Sequence, residues 1–143
     1  MPVENNPHDN EQLAAIRANQ EDPLVQYFVV RKDLDMSPGK MAAQVAHGAQ
    51  MTAFKYFEYK FMPEDIGKSV KADMFLTWMN ESFRKVVLKA DLKQFNKVKE
   101  ELDCFLVRDA GLTEVESGSE TVLALWPMKK SSAPKVIQRL RVM

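Results

Sequence analysis

Lys40, Gln44 and His47 follow one another at intervals of four and three residues in the stretch PGKMAAQVAHGAQ, so on a helix they share one face. Their chemistries complement each other. An ammonium binds a phosphate or a developing oxyanion, a carboxamide donates and accepts at once, and an imidazole moves protons near neutral pH. Ser37 followed by Pro38 reads as the start of that helix, a capping side chain and then a residue suited to the first turn. Lys40 would then lie where free backbone N–H groups and the helix dipole favour an anion. The same spacing also fits a solvated polar stripe, with Met41, Ala42, Val45, Ala46 and Ala49 forming the core side. Further along, Asp109 can orient a water, accept a proton or cap a turn. Thr113, Ser119 and Thr121 carry hydroxyls able to hydrogen-bond a ligand. Trp78, Trp126, Phe54, Tyr56 and Phe57 are either stacking groups for nucleobases or ordinary core and covering surface.

Several chemistries are excluded. Gly39-Lys40 is not a phosphate-binding P-loop, because Leu34 stands where its first glycine belongs and Met41 replaces its Ser/Thr. There is no G-x-S-x-G elbow. The single cysteine, Cys104, falls on a predicted buried strand, and no CxxC or Cys/His metal spacing occurs, so neither a cysteine nucleophile nor a metal is expected. No cofactor is expected. A lone thiol fits a reducing cytoplasm. No apolar run approaches the roughly 20 residues that span a bilayer, so a membrane partner is not expected, and the polar, acidic start is not read as a secretory signal.

The elements that must position these groups follow from pattern. Residues 25–31 (VQYFVVR), 84–89 (RKVVLK), 104–108 (CFLVR) and 121–126 (TVLALW) are short apolar, β-branched runs, hence strands. Helices are predicted from Pro38 to about residue 60, over 64–79, from the Asp91 cap to about 102, and over 134–140. The expectation is an α/β domain with the order β-α-α-β-α-β-β-α. Its four-stranded mixed sheet would have three parallel strands, one antiparallel strand, and helices on both faces. Residues 1–22 read as a flexible acidic tail with a short helix over 11–19, and 23–143 as the domain. The chain is neutral, with 20 Lys+Arg against 20 Asp+Glu. Residues 1–26 hold Glu4, Asp9, Glu11, Glu21 and Asp22 against Arg17 alone, which leaves the remainder at +4 and compatible with phosphate binding.

The topology has a geometric consequence. Ligands of open α/β sheets bind beyond the carboxyl ends of the strands. Lys40 follows the end of the first strand, and Asp109 ends the third. An antiparallel fourth strand begins with Thr121 at that same edge. Three polar groups far apart in sequence should therefore converge.

VVRKDLDMSPGKMAAQVAHGA resembles the N-terminal signature of the type II peptidyl-tRNA hydrolases, RKVVLKAD their second strand, and RDAGLTEVESGSETVLALWP their D-A-G-x-T…G-S-x-T-V-L block. The resemblance runs from about Tyr27 to the end. It implies a four-stranded mixed sheet between helices, a tRNA partner, and hydrolysis of the ester joining a peptide to the 3′-terminal ribose of tRNA. It also implies site residues at Lys40, His47, Asp109, Thr113 and Thr121, and a homodimer. Pro38 and Leu112 stand where the family often has cations, Gly48 where it has alanine, and the segment before RKVVLK is roughly ten residues longer. In the expected mechanism, phosphates dock near Lys40 with Arg31 and Lys32, and Gln44 and Ser119 assist binding. Asp109, with His47, activates a water, while Lys40 and the Thr113 or Thr121 hydroxyl stabilise the oxyanion. The rival readings are a tRNA-binding or interaction module without catalysis, and a hydrolase of another acyl ester.

Overall fold

The computed structural model describes residues 7–111 and 114–143. Strand β1 (Leu24–Arg31) is buried throughout except at Arg31, and its alternation assigns the two faces of the sheet. Val25, Tyr27 and Val29 pack in one cluster with Phe95, Val98, Val136 and Ile137. Phe28 and Val30 pack on the other side with Met41, Val45 and Ala49. Each fully buried side chain of this size contributes about 1.5–3 kcal/mol. A continuous apolar run is what a strand covered on both faces requires.

Helix α1 (Pro7–Glu21) precedes β1. The expected acidic tail therefore carries a helix longer than the stretch 11–19. Its end is tied down by Asp22, which accepts from Ser131 N at 2.8 Å and Ser131 Oγ at 2.6 Å. After β1 come a 3-10 turn (Lys32–Leu34), helix α2 (Pro38–Phe61) and helix α3 (Ile66–Asn80). Strand β2 (Arg84–Ala90), helix α4 (Leu92–Glu101), and strands β3 (Cys104–Arg108) and β4 (Glu120–Leu125) follow. The caps of α2 and α4 are those the sequence predicts. Ser37 Oγ accepts from Lys40 N at 3.2 Å, and Asp91 with Gln94 forms a reciprocal capping box.

The sheet is α/β and mixed, as expected, but it has six strands, not four. Its order is β3-β4-β1-β2-β6, where β6 is Arg141–Val142, and β5 (Met128–Lys129) pairs with β1. Strand β1 is parallel to β2 and antiparallel to β4, which is antiparallel to β3. The three first long strands thus share one direction and β4 opposes them. The two additional strands are β5, which pairs with Leu24–Val25 of the central strand β1, and β6, which adds an edge beside Leu88–Lys89. Two-residue pairings carry no periodicity, which is why pattern alone passes over them. The last helix is shorter than the expected 134–140. Helix α5 is only Lys135–Gln138, preceded by a 3-10 turn at Lys130–Ser132. The element order thus gains α1, β5 and β6 over the expected one.

Helices α2 and α3 cover one face of the sheet and α4 with α5 the other. The buried stripe of α2 is Gln44, Gly48, Thr52 and Tyr56, one residue per turn. Ala42 and Ala46, expected on the core side, are exposed. Gly48 is where the helix meets the sheet most closely: a Cβ there would stand 3.0 Å from Ala124 Cβ and 3.4 Å from Val107 Cγ2. Thr52 and Gln26 satisfy each other within this contact. Gln26 Nε2 donates to Thr52 Oγ1 at 3.2 Å and to the Leu125 carbonyl at 3.1 Å.

Candidate active site

Asp109 continues the face of β3 that carries Phe105 and Val107 toward α2, and it is 6% exposed. Its carboxylate is fully engaged. Oδ1 accepts from Lys40 Nζ at 2.5 Å and from Gln44 Nε2 at 2.9 Å, and Oδ2 accepts from Gly111 N at 2.5 Å. The hydrogen bond from Lys40, with lesser help from Gly111, the Lys40 charge and Gln44, holds this carboxyl below the usual aspartate range despite its burial. Gly111 is required at its position. It has φ +73°, and a Cβ would sit 2.3 Å from the Ser117 backbone. The loop closes on itself where Asp109 N donates to the Ser119 carbonyl at 2.9 Å and Gly118 N to the Asp109 carbonyl at 2.7 Å.

Thr121 stands behind this pair. It has no exposed surface, and its hydroxyl lies 2.8 Å from Gln44 Oε1 and 3.3 Å from the Val107 carbonyl. Gln44 is therefore held in one sense, its oxygen toward Thr121 and its NH2 toward Asp109. The polar line runs Thr121, Gln44, Asp109, Lys40, from the core to the surface. Its outer end opens into a groove of about 630 Å³ lined by Lys40, His47, Gln50, Phe54 and Arg108 among others. His47 is exposed on this wall, one turn beyond Gln44. Ammonium, imidazole and buried carboxylate share one opening, an arrangement able to stabilise an oxyanion beside a proton acceptor. Among the described residues no group of three His, Cys, Asp or Glu side chains could hold a metal ion. None of the described helices is long and apolar enough to cross a membrane.

The other expected site residues have different surroundings. Thr113, with Leu112, lies outside the described residues. Arg31 bonds Asp33 at 2.7 and 3.2 Å and the Glu120 carbonyl at 3.1 Å, with its guanidinium over Phe95, so its donors are engaged by the protein itself. Lys32 is exposed on the 3-10 turn, and Ser119 offers its backbone carbonyl to Asp109. The anion expected at the start of α2 is one of the chain's own. Glu114 accepts from Ser37 N at 2.8 Å and from Ser37 Oγ at 2.5 Å. Sequence reading missed Glu114; the only signal was an acid within the loop that had to return past Ser37.

The model of the family described as Peptidyl-tRNA hydrolase PTH2 matches residues 24–143. The chain belongs to this family. Among curated proteins it resembles a peptidyl-tRNA hydrolase of Thermococcus sibiricus, 39% identical over 123 residues, covering 82% of this chain and 95% of the relative. A peptidyl-tRNA hydrolase of Methanococcus maripaludis is 38% identical over 124 residues, with 82% and 97% covered. A third, from Thermoplasma acidophilum, is 33% identical over 122 residues, with 81% and 95% covered. The family match begins at the first residue of β1 and takes in every element of the polar line from Lys40 to Thr121.

Proposed function

We propose that this member of the peptidyl-tRNA hydrolase PTH2 family hydrolyses the ester between a peptide, or an N-blocked aminoacyl group, and the 3′-terminal ribose of tRNA. The observation that carries the reading is the Lys40–Asp109 pair, 2.5 Å apart, fixed by Gln44 at the head of an open groove. The ester carbonyl sits over Lys40, whose ammonium receives the charge of the tetrahedral oxyanion. Asp109 is ionised and already accepts three hydrogen bonds, so it is a poor base at neutral pH and acts by aiming Lys40. His47, on the groove wall, is placed to take the proton of the attacking water and return it to the ribose oxygen. Thr121 is a positioning residue acting through Gln44. The reading as a binding module without catalysis is not favoured, since Lys40, Gln44 and Asp109 converge intact. A cytoplasmic location, from the lone Cys104, and a homodimer, from the family resemblance, accompany this reading as expectations.

The test is release of tRNA from N-acetyl-aminoacyl-tRNA. Wild type should release it. Lys40→Ala and Asp109→Ala should each lose about 10²–10³-fold in kcat, the usual cost of one oxyanion donor or its support. Full activity in both variants would refute the assignment.

A further inference from the structure

Lys89 and Arg141 stand opposite each other at the carboxyl edge of the sheet. Along β2, Leu88 and Ala90 belong to the core on the α4 side and Val87 to the core on the α2 side, so Lys89 turns toward the α2 side. Arg141 is its direct partner on the antiparallel strand β6 and shares that face, while Val142 and Leu88 line a cavity on the other. Like charges placed directly opposite each other cost stability. Lys89 is half-buried and Arg141 exposed, yet among the described residues neither makes an ion pair or a side-chain hydrogen bond. Lys32, exposed on the turn that packs against β2, is a third cation without an ion-pair partner among the described residues, since Asp33 of that turn is taken up by Arg31. Protection of an open sheet edge needs one charge on the outer strand, which accounts for Arg141. It gives no reason for Lys89 on the strand inside it.

We infer that Lys89 and Arg141 hold phosphates of the tRNA backbone beyond its reacting end. The inference rests on the function proposed above and adds a contact that the Lys40–Asp109 pair does not make. The two sites share one edge. Strands β1, β2 and β3 run in the same direction, so all three end there. Asp109 directly follows β3, and the strand order places Lys89 three strands away from it and Arg141 four. At about 4.8 Å per strand these are distances of about 14 and 19 Å from the carboxylate that holds Lys40. Stacked nucleotides advance about 3.4 Å each, so with the ester over Lys40 the phosphates at this pair are about four to six nucleotides into the chain. The groove lies between α2 and β3, and Lys89 lies on the other side of α2, so the backbone passes over the start of that helix. That start is open: Gly39, in the first turn, is exposed, with nothing near the position of a Cβ. Lysine and arginine bind phosphates whatever the base, which suits an enzyme whose substrates share a backbone and differ in sequence.

The probes are 5′-fluorescein RNAs ending in CCA, without an acyl group, whose binding is read by fluorescence anisotropy. One has about three nucleotides and falls short of Lys89, and one has about eight and reaches past Arg141. Wild type should bind the longer RNA more tightly and with the steeper dependence on salt. Lys89→Gln and Arg141→Gln should each lower the slope of log affinity against log salt for the longer RNA by about 0.7, the loss of one phosphate. The double variant should bind the two RNAs nearly alike, and Lys89→Arg should retain the wild-type slope. Lys60→Gln, in the last turn of α2, removes the same charge elsewhere and should bind as wild type. Equal affinity of wild type for both RNAs, unchanged slopes in Lys89→Gln and Arg141→Gln, or the same loss in Lys60→Gln overturns the inference. Unchanged slopes together with Lys89 resonances that shift with inorganic phosphate would assign the pair to a free anion instead. Because the probes have no ester, a wild type that shows the length-dependent binding but releases no tRNA from N-acetyl-aminoacyl-tRNA refutes the proposed reaction and leaves this contact standing.

Discussion

Thr121→Val removes one hydroxyl from a site with no exposed surface and nearly preserves its shape. The hydroxyl is the hydrogen-bond partner of Gln44 Oε1, at 2.8 Å, and Gln44 is itself 2% exposed. In the variant Oε1 is left buried without a donor. Turning the amide over does not help, since it would aim the oxygen at the Asp109 carboxylate. The expected cost is that of one unsatisfied buried acceptor, about 1–3 kcal/mol. At about 3 °C per kcal/mol for a domain of this size, Tm should fall by about 3–9 °C. Release of N-acetyl-aminoacyl-tRNA should fall in kcat with KM unchanged, because Thr121 cannot touch the substrate, and Thr121→Ser should restore it. The double variant Gln44→Leu/Thr121→Val deletes both members of the pair, so its cost should fall short of the sum of the single costs by about 1 kcal/mol. A Thr121→Val protein within about 0.5 kcal/mol of wild type, or strictly additive single and double variants, would refute the reasoning.

The acid side of the stability curve tests the Lys40–Asp109 pair. The folded-state pKa of Asp109 lies below its unfolded value, so the stability it contributes is present above the ordinary aspartate range and is lost as pH falls through the lowered folded value. Lys40→Met removes the largest cause of that lowering and leaves burial opposing the charge. A ¹³C titration of the carboxyl should therefore move upward, and one that stays put would contradict the pairing. Gly48→Ala brings a methyl to 3.0 Å from Ala124 Cβ, an atom that cannot swing aside. Overpacking of about 1–3 kcal/mol should outweigh the roughly 1 kcal/mol gained in helix propensity, and Ala124→Gly in the same chain should recover part of the loss in Tm. Stability equal to or above wild type in Gly48→Ala alone would show that helix and sheet are less closely packed than described.

What the sequence made legible were the features encoded in local pattern. The run VQYFVVR has only one environment that suits it, a strand covered on both sides, and Ser37-Pro38 and Asp91 mark helix starts by side-chain chemistry alone. The convergence of Lys40, Asp109 and Thr121 followed from strand direction, which needs only the presence or absence of a crossover helix. The features that stayed hidden depend on partners distant in sequence. Met128–Lys129 and Arg141–Val142 are strands only because Leu24–Val25 and Leu88–Lys89 are there to receive them. Gln44 read as part of a polar stripe, yet it is buried, because Gly48 lets α2 approach the sheet and Thr121 with Asp109 satisfies its amide. Arg31 read as a phosphate ligand, yet Asp33 and the Glu120 carbonyl occupy its donors.

The position of Thr121 depends on an irregularity that alternation alone would miss. Val122 and Ala124 face α2, while Leu123 and Leu125 face α4, so strict alternation would turn Thr121 toward α4 and away from Gln44. The pairing of β3 with β4 breaks at this point. Val107 pairs with Val122 and Arg108 with Glu120, and Thr121 is the residue left over. A bulge of this kind re-aims one side chain without disturbing the rest of the strand. Here it places two successive residues, Thr121 and Val122, on the α2 side. Glu120 remains free to bind Lys99 and Arg108. The extra residue thus links the core to the groove: it fixes the Gln44 amide, which fixes Asp109, which aims Lys40. Deleting Thr121 would restore a regular ladder and put Glu120 at the position beside Val122, directed away from α2. The sheet would lose little hydrogen bonding, while the Lys40–Asp109 pair would lose the support behind it. A deletion variant that folds yet releases tRNA at the wild-type rate would show that the bulge is not what orders the site.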